Sequence, residues 1–306
     1  MTVALITHRA CEGHDLGPHH PECPQRLRAI HDYLLESRLD IALRYYDAPQ
    51  ATWAQLQRVH DPAYLEWVAA QNPAAGMVWL DPDTGMLPDT LEAALRAAGA
   101  VVLATDLVLR EEVAQAFCAV RPPGHHAESG RAMGFCLFNN IAVGVAHALA
   151  NGLERVAVID FDVHHGNGTE EIFHADERVL LCSTFRHPYY PFSGADSASP
   201  HIVNVPLAVG SGGEQFREAV RHHWLPALEQ FRPQMLFISA GFDAHAADEM
   251  GGLRLREGDY QWITAELKQF MVRLQGSAPI ISALEGGYET TALARSVAAH
   301  LRGLLG

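Results

Sequence analysis

Residues 156–169, VAVIDFDVHHGNGT, place three groups able to bind a metal ion within five positions. Side chains of an extended segment alternate between faces, so Asp160, Asp162 and His164 point the same way. One aspartate at a strand end reads as a solvated cap. Two carboxylates and an imidazole converging on one side are what a metal site needs. Gly166 and Gly168 then break the strand and let the chain turn.

The positioning of these groups depends on the elements before and after them. Apolar runs predict strands at Val3–Thr7, Gln115–Val120, Val156–Ile159, Val179–Ser183, Ile202–Val205, Met235–Ala240 and Pro279–Leu284. Helical spacing predicts helices over 24–36, 61–70, 139–150, 214–231, 258–274 and 290–305. A long helix begins at Asp89, with Glu92 as the second half of an N-terminal capping pair. Residues 185–200 hold three prolines and several aromatics and are read as a long ordered loop. Strands joined by helical crossovers imply a mainly parallel sheet with helices on both faces. No repeat, low-complexity run or linker interrupts 1–306, so one domain is expected.

Ligands of such sheets bind beyond the carboxyl ends of the strands. The polar motifs fall there: His125–His126 after Gln115–Val120, Asp160–His164 after Val156–Ile159, Asp243 after Met235–Ala240, and Tyr288 after Pro279–Leu284. His125 and His126 follow Pro-Pro-Gly, which predicts a tight, exposed turn.

Composition narrows the function classes. The chain has 306 residues, 48% of them hydrophobic, enough for a sizeable core, and a formal net charge of −14. That charge argues against gripping nucleic acid by its phosphates and suits a cationic substrate. No stretch is long enough for a membrane span, and the first apolar run is too short for a signal-peptide core, so a cytoplasmic protein is expected. The five cysteines are scattered, with no Cys-x-x-Cys pair, and read as reduced structural thiols.

The segment DFDVHHGNGT at 160–169 resembles the metal-binding stretch of the histone deacetylase family, in its class II-like form. RPPGHHAE at 121–128, MGFCLFNN at 133–140, SAGFDAH at 239–245 and LEGGY at 284–288 resemble the other signatures of that family, in the same order. HPECPQR at 20–26 fits its N-terminal loop. The family also includes bacterial deacetylase-like amidohydrolases and acetylpolyamine amidohydrolases. The resemblance implies an arginase/deacetylase-type α/β fold with an eight-stranded parallel sheet.

It also implies roles. Asp162, His164 and Asp243 become metal ligands, one nitrogen and two oxygens, leaving room for water and a substrate carbonyl as catalytic sites do. Zinc is the usual ion of the family; oxygen-rich ligation also suits Fe(II), Co or Mn. His125 and His126 would face the activated water as acid and base, with Asp160 as the partner of His125 and Asn167 of His126. Some branches carry aspartate in place of Asn167. Tyr288 would donate to the carbonyl oxygen as charge develops there. Gly134, Phe135, Tyr190 and Met250 would shape a narrow substrate channel. A monovalent-cation site, for potassium, is implied at Asp160, Ser183 and the backbone of Asp162, His164 and Thr184.

The expected activity is metal-dependent removal of an acetyl or other short acyl group from a lysine side chain in a peptide or protein. An acetylpolyamine amidohydrolase, acting on a small acylated amine, is the alternative. A non-catalytic module binding acylated ligands is a third reading; it would fit loss of Tyr288 or a ligand, and all are present. An arginase-type two-metal hydrolase shares the architecture, but HHGNG and GGY fit it poorly. The oligomeric state stays open; a homodimer or higher assembly is compatible with the sequence.

Overall fold

The apolar run ahead of Asp160 is a strand with no exposed residue. Burying one valine or isoleucine side chain contributes about 1.5–3 kcal/mol, so this run belongs at the centre of a sheet covered on both sides. The computed structural model describes residues 2–197 and 199–306. Its strands are β1 (Val3–Thr7), β2 (Leu43–Asp47), β3 (Val78–Trp79), β4 (Gly85–Met86), β5 (Gln115–Cys118), β6 (Val156–Asp160), β7 (Val179–Arg186), β8 (Ile202–Leu207), β9 (Met235–Ala240) and β10 (Ile280–Leu284). Eight of them form one sheet in the order β2-β1-β5-β10-β9-β6-β7-β8. Every pairing in it is parallel. β3 and β4 form a separate antiparallel pair.

Two groups of helices cover the sheet. The helices Gln25–Glu36, Glu257–Gln275 and Thr290–Leu305 pack together, as do Thr90–Leu109 and Asn140–Ala150. Ser282 of β10 bonds His300 of the last helix at 2.9 Å. Phe237, in register with Ile281, lies against Gly144 on the other group. Neighbouring residues of a strand point to opposite sides, so the two groups cover opposite faces.

Several local expectations need correction. β2 was not among the predicted strands: it is an edge strand, and only Leu43 of its five residues is buried. Its polar, outward side chains leave no periodic signal. Asp89 does not cap the helix that follows; its side chain makes no capping bond. Thr90 Oγ1 instead accepts from the backbone N–H of Leu87. The helix predicted over 214–231 is interrupted by a π-helical turn at Val220–Trp224. Pro226 lacks the N–H that a regular ladder would use there, and the wider turn accommodates it. β7 runs on to Arg186, into the segment read as a loop; of that segment, Ala198 lies outside the described residues.

Candidate active site

Four adjacent strands, β5, β10, β9 and β6, end at the site, so each contributes its next loop to one place. Asp160 is the last residue of β6, level with Ser239 of β9 and Ser183 of β7. The strand stops there, so Asp162 and His164 are not set by the expected strand alternation; the chain bends and is pinned by its own acids. Asp160 Oδ1 accepts from the N–H of Asp162 at 3.0 Å, and Asp162 Oδ1 from that of His164 at 2.8 Å. Asp243 Oδ1 accepts from the N–H of Val163 at 2.9 Å, and Asp162 Oδ2 from Gly286 at 2.8 Å. Each carboxylate therefore spends one or two lone pairs on backbone and keeps the rest for the centre.

At that centre Asp162, His164 and Asp243 bring one donor atom each to within 4.8 Å of one another. His164 Nδ1 lies 3.1 Å from Asp162 Oδ1 and 3.2 Å from Asp243 Oδ2. Asp243 Oδ2 is buried and makes no hydrogen bond among the described residues. Gly286 closes the cradle: a Cβ there would stand 2.0 Å from Asp243 Oδ2 and 2.6 Å from Asp162 Oδ2. An orphaned buried carboxylate oxygen beside an imidazole and a second carboxylate fits a divalent cation. Burial pushes Asp243 up to about 7, with the charge of Asp162 adding to it. Asp162, equally buried, is held below the usual carboxylate range by His125 and by its bonds to His164. A bound cation would favour the charged form of both.

The two adjacent histidines are buried, at 2% and 4% exposure, and the turn expected to be exposed lies inside the protein. Glu285, completely buried at the end of β10, explains why. Its Oε2 accepts from the N–H groups of Gly124 at 2.6 Å and His125 at 3.1 Å and ties the loop to the sheet. His125 Nδ1 meets Asp160 Oδ2 at 3.0 Å, and His126 Nδ1 meets Asn167 Oδ1 at 2.8 Å. The partners separate the two rings electrostatically. Burial opposes charge on His125, but Asp162 and Asp160 outweigh it and raise its pKa to about 10. Burial, then the neighbouring His125 and His164, hold His126 well below the ordinary histidine value.

Tyr288 sits on a loop fixed at both sides. Asp248 Oδ2 accepts from the N–H of Tyr288 at 2.6 Å and of Glu289 at 3.1 Å. Arg26 Nε donates to Gly287 O at 2.6 Å, and the guanidinium lies 5.1 Å from the tyrosine ring centre. Arg26 and Arg121, both fully buried, share Glu22. Burial alone would raise Glu22, yet the two guanidinium groups bring it down to about 2. Removing one member of such a network typically costs about 3–5 kcal/mol, because the others remain buried and unpaired.

Above this floor a cavity of about 250 Å³ is lined by Asp83, His126, Gly134, Phe135, His164, Tyr189, Tyr190, Phe192, Met250 and Tyr288. Phe135 packs edge-on to Tyr288, and Tyr190 edge-on to His126. A Cβ at Gly134 would stand 2.4 Å from the His126 ring, and the residue has φ +58°. Met250 lines the cavity, while Glu249 faces solvent. Asp248 Oδ1 sets that register by accepting from the N–H of Met250 at 3.0 Å. Ser183 lies beside Asp160, and its Oγ is buried without a partner.

Sequence reasoning missed Phe192 of the lining and four further residues here. Glu285 and Asp248 act through backbone bonds to distant segments. Asp83 accepts from the N–H of Gly134 at 3.1 Å, and Tyr189 stacks on His164 with its hydroxyl on Met250 O. Of these only Glu285 lies inside a motif quoted above.

The family model described as histone deacetylase domain matches residues 20–304. A histone deacetylase-like amidohydrolase of Pseudomonas aeruginosa is 37% identical over 94% of this chain and 81% of its own length. A probable deacetylase of Archaeoglobus fulgidus is 33% identical over 94% of this chain and 82% of its own. The crystal structure of the HDA15 HD domain superposes with a TM-score of 0.92 at 33% identity, covering 99% of this chain and 91% of that one.

Proposed function

The chain belongs to the histone deacetylase family, and on that premise we propose that it removes an acetyl or other short acyl group from the side-chain amine of lysine in peptides or proteins. One observation carries this reading. The cavity of about 250 Å³ has aromatic walls and a floor of His126, His164 and Tyr288. Apolar walls suit the methylene stem of an acyl-lysine, and the floor meets its amide.

Asp162, His164 and Asp243 would hold zinc, and Asp160, the Ser183 hydroxyl and the backbone of Asp162, His164 and Thr184 a potassium ion. A divalent ion in the first site supplies Lewis acidity toward water and toward the substrate carbonyl. The protein groups do the rest. His126 is the base: its Nδ1 faces the Asn167 oxygen, which leaves the other ring nitrogen, Nε2, to take a proton from the attacking water. The Tyr288 hydroxyl, kept protonated by burial and by Asp243, donates to the oxygen on which charge develops. As the C–N bond breaks, an imidazole proton passes to the departing nitrogen, giving acetate and a free amine. His125, its Nδ1 on Asp160 Oδ2 at 3.0 Å, is held in place beside His126.

Lysine peptides are favoured over acetylpolyamines because the lining residue on the 243–251 loop is Met250, with no charge to attract a second ammonium. The test is a turnover screen of acetyl-lysine peptides, longer acyl-lysine peptides and acetylpolyamines side by side. Highest kcat/KM on acetyl-lysine peptides supports the proposal. A preference for acetylspermidine or acetylputrescine overturns it in favour of the polyamine reading.

A further inference from the structure

We propose that Glu128 is a positioning residue that fixes the tautomer of His126 by way of Asn167. The geometry forms a chain of three side chains. His126 Nδ1 stands 2.8 Å from Asn167 Oδ1, and Asn167 Nδ2 donates to Glu128 Oε1 at 2.8 Å. A side-chain amide has two ends that differ only in which atom donates. A carboxylate accepts and does not donate, so the NH2 end must face Glu128. The amide oxygen then faces His126, and His126 must carry its proton on Nδ1. Nε2 is left with a free lone pair on the substrate side.

The other acceptors near Asn167 Nδ2 are weaker: Met133 Sδ at 3.3 Å and His126 O at 3.5 Å. Neither would hold the amide against a flip as a charged acceptor does. Glu128 itself stands on a fixed pedestal. Its N–H donates to Arg131 O at 3.0 Å, and its carbonyl accepts from His60 Nδ1 at 3.0 Å. The tautomer of His60 is set in turn, because its Nε2 accepts from the N–H of Asn139. Glu128 and Asn167 line a second cavity of about 450 Å³ that shares no lining residue with the substrate channel. Glu128 does not line the substrate channel, and its contact with His126 runs through the amide.

The arrangement predicts a dependence between two positions. Asn167→Asp alone places two carboxylates at hydrogen-bond distance, and their repulsion turns one away or forces them to share a proton. Glu128→Gln then supplies an NH2 group to the new carboxylate. The substitution that weakens the wild-type arrangement should repair the Asn167→Asp one.

The inference rests on the reading of His126 as base, and its test separates the two. Nitrogen NMR of the zinc-loaded protein reads the His126 tautomer without turnover. Wild type should show a single Nδ1–H form, and Glu128→Leu a mixture. With whichever acylated amine is turned over, Glu128→Leu should lower kcat roughly 10-fold with KM little changed. Glu128→Gln should recover most of that loss. Asn167→Asp should fall by roughly the same factor, and Asn167→Asp with Glu128→Gln should regain most of it. A single Nδ1–H tautomer surviving in Glu128→Leu, or a double variant no faster than Asn167→Asp, overturns the proposal. If Glu128→Leu fails to fold, the double variant still decides. Unchanged turnover in Glu128→Leu on every acylated amine, with the tautomer shift present, would count against the base role of His126 and leave the positioning role standing.

Discussion

The floor of the site and the walls above it are built in different ways. The floor carries His126 and Tyr288 beside Asp160, Asp162, His164 and Asp243; these last four stand at or just beyond the ends of central strands, and backbone N–H groups pin the three carboxylates. The walls, Phe135, Tyr189, Tyr190, Phe192 and Met250, stand on loops and meet the cavity with apolar surface. A floor of this kind holds charges in place before substrate arrives, so it sets the reaction. On the proposed reading, loop-borne apolar walls would set which acylated amine reaches it, and they can change without disturbing the chemistry.

That contrast should order the effects of substitutions. Asp243→Ala removes a proposed ligand from the floor and should abolish metal binding and turnover together, read by metal analysis and by rate. Tyr288→Phe removes one donor to the oxyanion and should cost about 100- to 1,000-fold in kcat. KM should change far less, since the bond matters most in the transition state. A loss under about fivefold would move Tyr288 from the floor to the walls, against the usual cost of such a donor.

A wall substitution should act on choice and not on rate. Met250→Glu should shift the ratio of kcat/KM for acetylpolyamine over acetyl-lysine by about 1–3 kcal/mol toward the polyamine. Glu249→Leu, beside it but facing solvent, should leave the ratio where it was. If Glu249 alone moved the ratio, the wall would be drawn one residue out of register.

The smallest effect should come from a group in neither region. His300 is buried behind the sheet between Thr264 and Ser282, and burial lowers its pKa from 6.5 to about 3. Its folded pKa is depressed, so it contributes stability fully present above pH 6.5 and lost progressively as pH falls toward 3. Melting temperature should fall over that window, and His300→Gln should flatten the slope by a few degrees without changing kcat at neutral pH. An unchanged slope would mean that other buried groups carry the acid sensitivity.

The floor was more legible in the sequence than the walls, for a physical reason. Asp160, Asp162 and His164 lie close together after a continuous apolar run, which marks one strand end, although bends beyond Asp160 and not strand alternation bring Asp162 and His164 to the centre. Phe135, Tyr190 and Met250 look like core residues in isolation and were placed by family resemblance. The braces were invisible to either approach. Asp248 holds the N–H of a residue forty positions later, and Glu285 holds that of His125 from the other end of the chain. Such pairs exist only after β5, β9 and β10 are side by side. Edge strand β2 was missed because an exposed strand carries no apolar pattern, and the 214–231 helix was drawn unbroken because periodicity ignores the missing N–H of Pro226.

Metal removal tests the central claim most directly. Protein purified with its metal, treated with chelator and dialysed, should lose turnover of an acetyl-lysine peptide. Zinc added back should restore it at one ion per chain, and His164→Ala should neither retain the ion nor recover. Turnover by the chelated protein at the rate of the metal-loaded one would contradict the account.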